Sequence, residues 1–299
     1  MKYNHNIYVW GLLFLAVILN SCEDVIEVST DPAEPIIVVE AWLDNEPRGQ
    51  TIRLTQSQPY FDNSLFTPLS GASIEILSSD GKLFEFDELS EGEYLWLPLQ
   101  GDSLGSIGTS LELNIEWDNR QFYASTQINR VPQIDSIAQE FEEESILGPE
   151  GVRTQFYSRD PMGTGDSFWI KTYKNGRFLD KPLELNIAYD AGFDPGARID
   201  GLIFITPIRD LTNPVANDEN SDDPPWEKDD QIQVEIHSIS NEAFFFLETL
   251  RDQLSNGDNG IFSIPLSNPR GNIVDLTSNE TVLGIFNVAA ISRASERID

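Results

Sequence analysis

Apolar and polar residues alternate with a period of two along much of the chain. Leu111, Leu113, Ile115 and Trp117 fall on one side of their segment and Glu112, Asn114 and Glu116 on the other, and Ile74 and Ile76 stand against Glu75 in the same way. Such a pattern predicts strands with one buried and one wet face. Seven short segments rich in β-branched and aromatic residues follow one another: Ile36–Leu43, Thr51–Gln56, Ser73–Ser78, Leu83–Asp87, Glu93–Leu97, Leu111–Trp117 and Phe122–Ile128. Asp80-Gly81 and Asp118-Asn119 lie where tight hairpins require positive φ, which Gly, Asn and Asp tolerate best.

Strands at this spacing predict a first domain over residues 34–130 that resembles an immunoglobulin-like or fibronectin-like β-sandwich, without the inter-sheet disulfide of antibody domains. Asn129-Arg130-Val131-Pro132-Gln133 breaks the pattern, and Pro132 has no N–H for a ladder, so the domain boundary is placed there. A second β-rich domain is expected over 131–299, with strands at Ile134–Phe141, Arg153–Ser158, Ser167–Lys174, Glu184–Tyr189, Leu202–Ile208 and Gln231–Ile239. Asn175-Gly176 makes the clearest hairpin turn. One helix is expected at about 241–255: Ser240 is a good N-cap, Ala243, Phe246, Leu247, Leu250 and Leu254 form an apolar stripe, and Gly257 would stop it. A last strand, Val282–Ile291, completes the sheet and leaves Ser292–Asp299 as a frayed polar end. The fold class is mainly β.

The N-terminus carries a different pattern. Met1 and Lys2 precede an apolar run from Ile7 to Leu19, and Leu19-Asn20-Ser21-Cys22 contains the single cysteine of the 299 residues. Spanning a bilayer takes about 20 apolar residues, and Ser21, Glu23 and Asp24 end the run too early. Residues 1–21 therefore read as a lipoprotein signal peptide, cleaved before Cys22, whose sulfur would carry the diacylglycerol. The alternative is a buried free cysteine after an ordinary signal or a membrane helix. Residues 22–33, with Glu23, Asp24 and Glu27, form an acidic tether.

Charge narrows the partners. Lys plus Arg is 19 against 50 Asp plus Glu, and removing residues 1–21 takes one lysine and no acid, so the formal charge moves from −31 to −32. Phosphate backbones and anionic lipid surfaces would repel this chain, so no nucleic-acid role is expected and membrane attachment would fall to the lipid.

Little in the sequence suggests catalysis. His5 leaves with the signal, so His237 is the only imidazole of the mature chain, and its alternation with Gln233 and Glu235 predicts a solvent-facing position. Thiol nucleophiles and zinc sites built on several histidines or thiols are excluded, and no Gly-x-Ser-x-Gly elbow or phosphate-binding glycine loop is present. No catalytic, cofactor or metal residues are assigned. The acidic stretch Asp218–Asp223 offers oxygens for calcium but lacks the spaced D-x-D-x-D-G loop, and reads otherwise as a hydrated connection. Tyr60, Phe61 and Phe66 in the Pro59–Pro68 connection, and Trp226 beside the acidic stretch, are candidate partner contacts; the other reading of the loop aromatics, a flap over the end of their own sandwich, is slightly favoured. Trp42, Trp96, Trp117 and Trp169 sit in strands and read as core.

Several segments, in this order, resemble one family: Val38-Val39-Glu40-Ala41-Trp42-Leu43, Leu54-Thr55-Gln56-Ser57-Gln58-Pro59-Tyr60-Phe61, Ser70-Gly71-Ala72-Ser73-Ile74, Gly92-Glu93-Tyr94, Val131-Pro132-Gln133-Ile134-Asp135-Ser136-Ile137, Tyr173-Lys174-Asn175-Gly176, Ser238–Leu254 and Gly284-Ile285-Phe286. The family is that of Bacteroidota outer-membrane lipoproteins known as domain-of-unknown-function family 4249. Val274-Asp275-Leu276-Thr277 stands where its pattern has a glycine-rich turn. The resemblance implies a surface or outer-membrane lipoprotein, often associated with TonB-dependent receptor systems, with no catalytic residues to carry over. The expected function is that of a non-enzymatic accessory protein with an outer-membrane protein partner. A direct glycan-, peptide- or metal-binding lipoprotein and a carboxylate-dependent surface hydrolase are the alternatives.

Overall fold

The computed structural model describes residues 35–58, 64–143, 150–196, 198–211, 225–254 and 268–299. The strands of the first half are β1 (Ile37–Asp44), β2 (Gln50–Gln56), β3 (Thr67–Pro68), β4 (Ser73–Ser78), β5 (Leu83–Ser90), β6 (Glu93–Trp96), β7 (Ser110–Trp117) and β8 (Arg120–Gln127). Those of the second are β9 (Ile134–Glu142), β10 (Gly151–Ser158), β11 (Ser167–Lys174), β12 (Arg177–Phe178), β13 (Asn186–Tyr189), β14 (Asp210–Leu211), β15 (Gln231–Ile239), β16 (Val274–Asp275), β17 (Glu280–Thr281), β18 (Leu283–Ala289) and β19 (Ile291–Arg297). The single α-helix of eight residues or more among the described residues is α1 (Asn241–Leu254). No helix there is long and apolar enough to cross a membrane.

The largest sheet runs β17-β16-β8-β7-β4-β5-β6-β2-β1-β18, with β3 on the flank of β2. β5 turns its corner: Leu83–Phe86 pair with β4, while Asp87, Glu88 and Ser90 pair with β6. β18 returns beside β8, so the sheet curls nearly closed. Alternate residues of β1, Ile37, Val39, Ala41 and Leu43, point into the enclosed core with Ile52, Tyr94, Leu113 and Phe122. Hairpin turns expected from sequence are present, with φ of 50° and 59° at Asp118 and Asn119, and 50° and 81° at Asn175 and Gly176.

The mainly β class with one amphipathic helix is as expected, while the division at residue 131 is not confirmed. Pro35–Asp299 forms one compact unit. β18 lies parallel to β1, pairing Val38 with Leu283 through Asp44 with Ala289, and β16 pairs with β8. Ile273, Val282, Phe286, Val288 and Ala290 thereby complete the first core. Parallel partners need no local turn, so no short-range signal announces them. Gly284 makes the close approach possible: at φ +107° a Cβ would lie 1.9 Å from the Val39 carbonyl oxygen.

A second sheet, β12-β11-β15-β19 with β13 on β11, and a third, β14-β10-β9, enclose another core around Phe156, Phe168, Phe204, Val234 and Ile236. Two sequence expectations fail here. Leu202–Ile208 is turn and coil with one isolated bridge, Arg159 to Ile203; Pro207 offers no N–H to a ladder, and Phe204 and Ile208 are apolar because they plug the second core. Ser292–Asp299 is not frayed: β19 pairs with β15 along Ile291–Arg297, and Ile298 is buried. Ala294 and Ile298 of this end pack on the second core, and the polar residues between them are held by the ladder to β15.

α1 begins as expected, with the Ser240 hydroxyl accepting from Ala243 N at 3.1 Å. It packs Ala243, Phe244 and Leu247 against Ile187, Ile239 and Ile285, so the stripe is rotated to include Phe244, and Leu254 is left exposed. Where the glycine-rich turn was expected, Asp275 organises the chain. Its carboxylate accepts from Thr277 N at 2.8 Å, Ser278 Oγ at 3.1 Å and Arg120 Nε at 3.0 Å. Burial alone would raise that carboxyl, but these donors outweigh it and hold it at about 2.

Candidate functional site

The period-two alternation of β11 sends Phe168, Ile170 and Thr172 to one side and Trp169, Lys171 and Tyr173 to the other. Antiparallel pairing sets Trp169 against His237, Lys171 against Glu235 and Tyr173 against Gln233, and β19 places Arg293 beside Glu235. The three strands thus present one polar face. A lid of first-sheet residues covers it: Trp42 and Asp44 from the end of β1, and Arg48 from the β1–β2 connection. Between lid and face lies a cavity of about 100 Å³, lined also by Asn287 and Ala289 of β18.

Glu235 is the centre of this site. Its Oε2 accepts from His237 Nε2 at 2.8 Å and from the Tyr173 hydroxyl at 3.3 Å, and its Oε1 from Gln233 Nε2 at 2.9 Å and Arg293 Nε at 3.2 Å. Arg293 forks onward to both Glu46 oxygens at 2.8 and 2.9 Å. In the lid, Asp44 is held by Arg48 and by Gln50 Nε2 at 3.0 Å. Burial would raise the Glu235 carboxyl, but the hydrogen bonds from His237 and Arg293 and the charge of Arg293 prevail and hold it at about 2.

The carboxylate fixes its neighbours in turn. An ionised Glu235 can only accept, so His237 Nε2 carries the proton. Burial lowers the imidazole's pKa, with Lys171 adding to the effect and Glu235 opposing it, which favours the neutral ring. Burial, then the charge and hydrogen bond of Glu235, push Tyr173 up to about 12. Lys171 differs from the rest: among the described residues its ammonium makes no hydrogen bond or ion pair, and it sits 3.9 Å from the centroid of the Trp169 ring. Burial lowers it to about 8, against the pull of Glu235 and Asp44.

This arrangement can hold charge but is poorly built to transfer protons. Both Glu235 oxygens are committed, and the cavity has room for a few waters or a small anion beside Lys171, not a sugar ring. On the other side of the edge-to-face Trp42–Trp169 pair, whose centroids are 5.2 Å apart, an apolar cleft of about 240 Å³ runs between Phe178, Leu185, Phe246 and Leu250.

The residues singled out from sequence do not converge on this site, apart from His237. Its face was foreseen and its exposure was not: the β1 lid buries it. Cys22, Tyr60, Phe61 and Asp218–Asp223 lie outside the described residues. Phe66 is 68% exposed, beside Leu65 at 93%. Trp226 is 3% exposed and belongs to the second core, with the Lys174 ammonium 5.3 Å from its ring, so it is not available as a contact. Trp42 and Trp169 pack against the helix core as half-buried walls of both cavities. Lys171, Arg293, Asp44 and Glu46 were missed. The alternation around Lys171 and Arg293 marks a polar strand face, and nothing local shows that Asp44 and its neighbours will cover it.

A profile of the family described as Domain of unknown function (DUF4249) matches residues 23–295. The chain belongs to that family. No curated protein matches the sequence.

Proposed function

We propose that this DUF4249 chain is a lipid-anchored accessory protein of the outer membrane, displayed at the cell surface, that assists a TonB-dependent receptor or another outer-membrane complex without catalysing a reaction. The observation that carries the reading is Leu19-Asn20-Ser21-Cys22 at the end of a short apolar run, followed by an acidic tether. The geometry supports its non-enzymatic part. Apart from Lys171, the ionisable groups around Glu235 are engaged with its carboxylate, while large apolar side chains stand exposed outside the strands at Leu65, Phe66 and Leu99. A strongly negative chain would select a basic partner surface.

Isolation from native membranes in mild detergent tests this reading. Mass spectrometry is expected to find a diacylglyceryl group on Cys22 and a stoichiometric β-barrel protein in the same complex. An unmodified N-terminus, or a protein recovered free of any partner, would overturn it. Paired substitution of Leu65 and Phe66 by Ser should reduce the amount of barrel protein recovered without changing the unfolding midpoint.

A second reading, direct binding of a small ligand, is favoured by the apolar cleft between Phe178 and Leu250. At about 240 Å³ it lies below the roughly 300–1,000 Å³ of ordinary ligand pockets, which suits a single apolar side chain of a peptide better than a sugar.

A further inference from the structure

Outside the lining of the Glu235 site, three segments bring carboxylates together at one end of the second core. Asp160 follows β10, Asp166 precedes β11, and Asp190 follows β13. Because Ser167 pairs with Tyr189, the chain ends adjoining that pair lie side by side: Gly165 N and Asp166 N donate to Asp190 Oδ1 at 2.7 and 3.0 Å. Oxygens of the three carboxylates lie within 4.8 Å of one another. Asp160 and Asp190 are 1% and 2% exposed.

One arginine serves this cluster and leaves most of it unmatched. Arg130 binds both oxygens of Asp166 and the carbonyl oxygens of Pro161, Met162 and Gly163, and donates to neither Asp160 nor Asp190. Gly201 N takes Asp160 Oδ2 at 3.0 Å. Asp160 Oδ1 is buried with no hydrogen-bond partner. Buried acceptors are nearly always satisfied, and a carboxylate withdrawn from water beside two others is destabilising unless a positive charge meets it.

We propose that Asp160, Asp166 and Asp190 bind a calcium ion, which the orphaned Asp160 Oδ1 and the facing oxygens of the other two carboxylates would ligate. The donor set is all oxygen, which selects a hard cation over zinc or copper. Three oxygens within 4.8 Å of one another can all turn toward one ion, and calcium's flexible shell of oxygen ligands at roughly 2.3–2.6 Å accepts such an irregular set more readily than the near-ideal octahedron that magnesium demands. The ion would tie the β10–β11 and β13 segments to the 201–202 turn, whose Gly201 N and Leu202 carbonyl already hold Asp160.

The full chain, stripped with a chelator, provides the test. Calcium in the millimolar range is expected to raise the unfolding midpoint by about 4 °C or more, with magnesium giving less than half of that. Terbium should bind with one equivalent of sensitised luminescence, excited through Tyr189, whose hydroxyl lies beside Gly165. Asp160→Asn should abolish the calcium shift and the luminescence, and the combined D218N, D222N and D223N variant should keep both. A wild-type protein indifferent to calcium, an undiminished shift in Asp160→Asn, or loss of the response in the acidic-stretch variant would overturn the proposal. Should Asp160→Asn not fold, the wild-type terbium titration decides: a sensitised single site supports the assignment and its absence refutes it.

Discussion

Glu235 and Asp160 are both withdrawn from water, at 6% and 1% exposed, and their surroundings drive them in opposite directions. Around Glu235 four side chains converge from β11, β15 and β19, and they hold the carboxyl at about 2. Around Asp160 burial dominates, the single Gly201 hydrogen bond offsets little of it, and repulsion from Asp166, Asp190 and Asp200 adds to it, so that carboxyl rises to about 6. Burial is common to both. The difference lies in how many donors the fold aims at the carboxylate, and it separates a closed electrostatic lock from a site with spare acceptor capacity.

The sharpest way to break that contrast is to remove each charge in turn. Glu235→Ala strands Arg293, His237 and the covering residues, and is expected to destabilise the fold by about 3–5 kcal/mol, read as a lower urea midpoint. Asp160→Asn, in chelator, should leave the midpoint unchanged or raise it. Equal losses in the two variants would show that both clusters are structural locks of the same kind.

A smaller effect is expected from the outer half of the lock. Arg293→Ala loses the Glu235 contact and the fork to Glu46, and should cost about 2 kcal/mol. The Glu46→Ala change, which leaves Arg293 on Glu235, should cost less than half of that.

Acid titration separates the sites by sign. A carboxyl whose folded value is depressed contributes stability that is complete above its unfolded value, near 4.3 for Glu, and disappears as pH falls through its folded value. For Glu235 the window of loss therefore runs from about 4.3 down to about 2. Glu235→Gln should flatten the acid-unfolding curve across that window, leaving the part due to Asp275, which is held at about 2 in the first sheet.

One further change is expected to be a gain. Lys171 is lowered to about 8, so its charge costs stability below that pH, and the cost is relieved as pH rises from about 8 toward the unfolded value near 10.4. Lys171→Met keeps the stem over Trp169 without the ammonium. It should add about 1 kcal/mol at neutral pH and remove the rise in stability on the alkaline side, both measurable by denaturation at a series of pH values.

Much of the fold was legible because its signals are local. Ser73–Ser78, Ser167–Lys174 and Gln231–Ile239 were bounded by alternation and turn residues at the ends they have in the structure, and Ser240 marked the helix start. What failed depends on distant partners. Ser292–Asp299 looks polar enough to fray, and only pairing with β15 orders it. His237 was placed on the right face, but its burial depends on Asp44 and Arg48, which parallel pairing of β1 with β18 brings across. Trp226 was misjudged from its neighbours: two prolines and an acidic run suggested exposure, whereas Lys174 and the second core enclose the ring. Asp160, Asp166 and Asp190 carry no spacing that a motif search would notice, since β13 supplies the third carboxylate from a separate strand.

The parallel union of β1 with β18 also sets the order of events during biogenesis. Throughout translation of more than two hundred intervening residues, one edge of β1 carries unpaired amides and carbonyls that could recruit a strand from a neighbouring chain. Its proper partner, β18, is made long after it, so the first sheet cannot close before Ala289 has been synthesised. A chain released early would present an open, sticky border, and holding the nascent protein in an unfolded, escorted form until Ala289 has emerged is the safeguard that this topology demands.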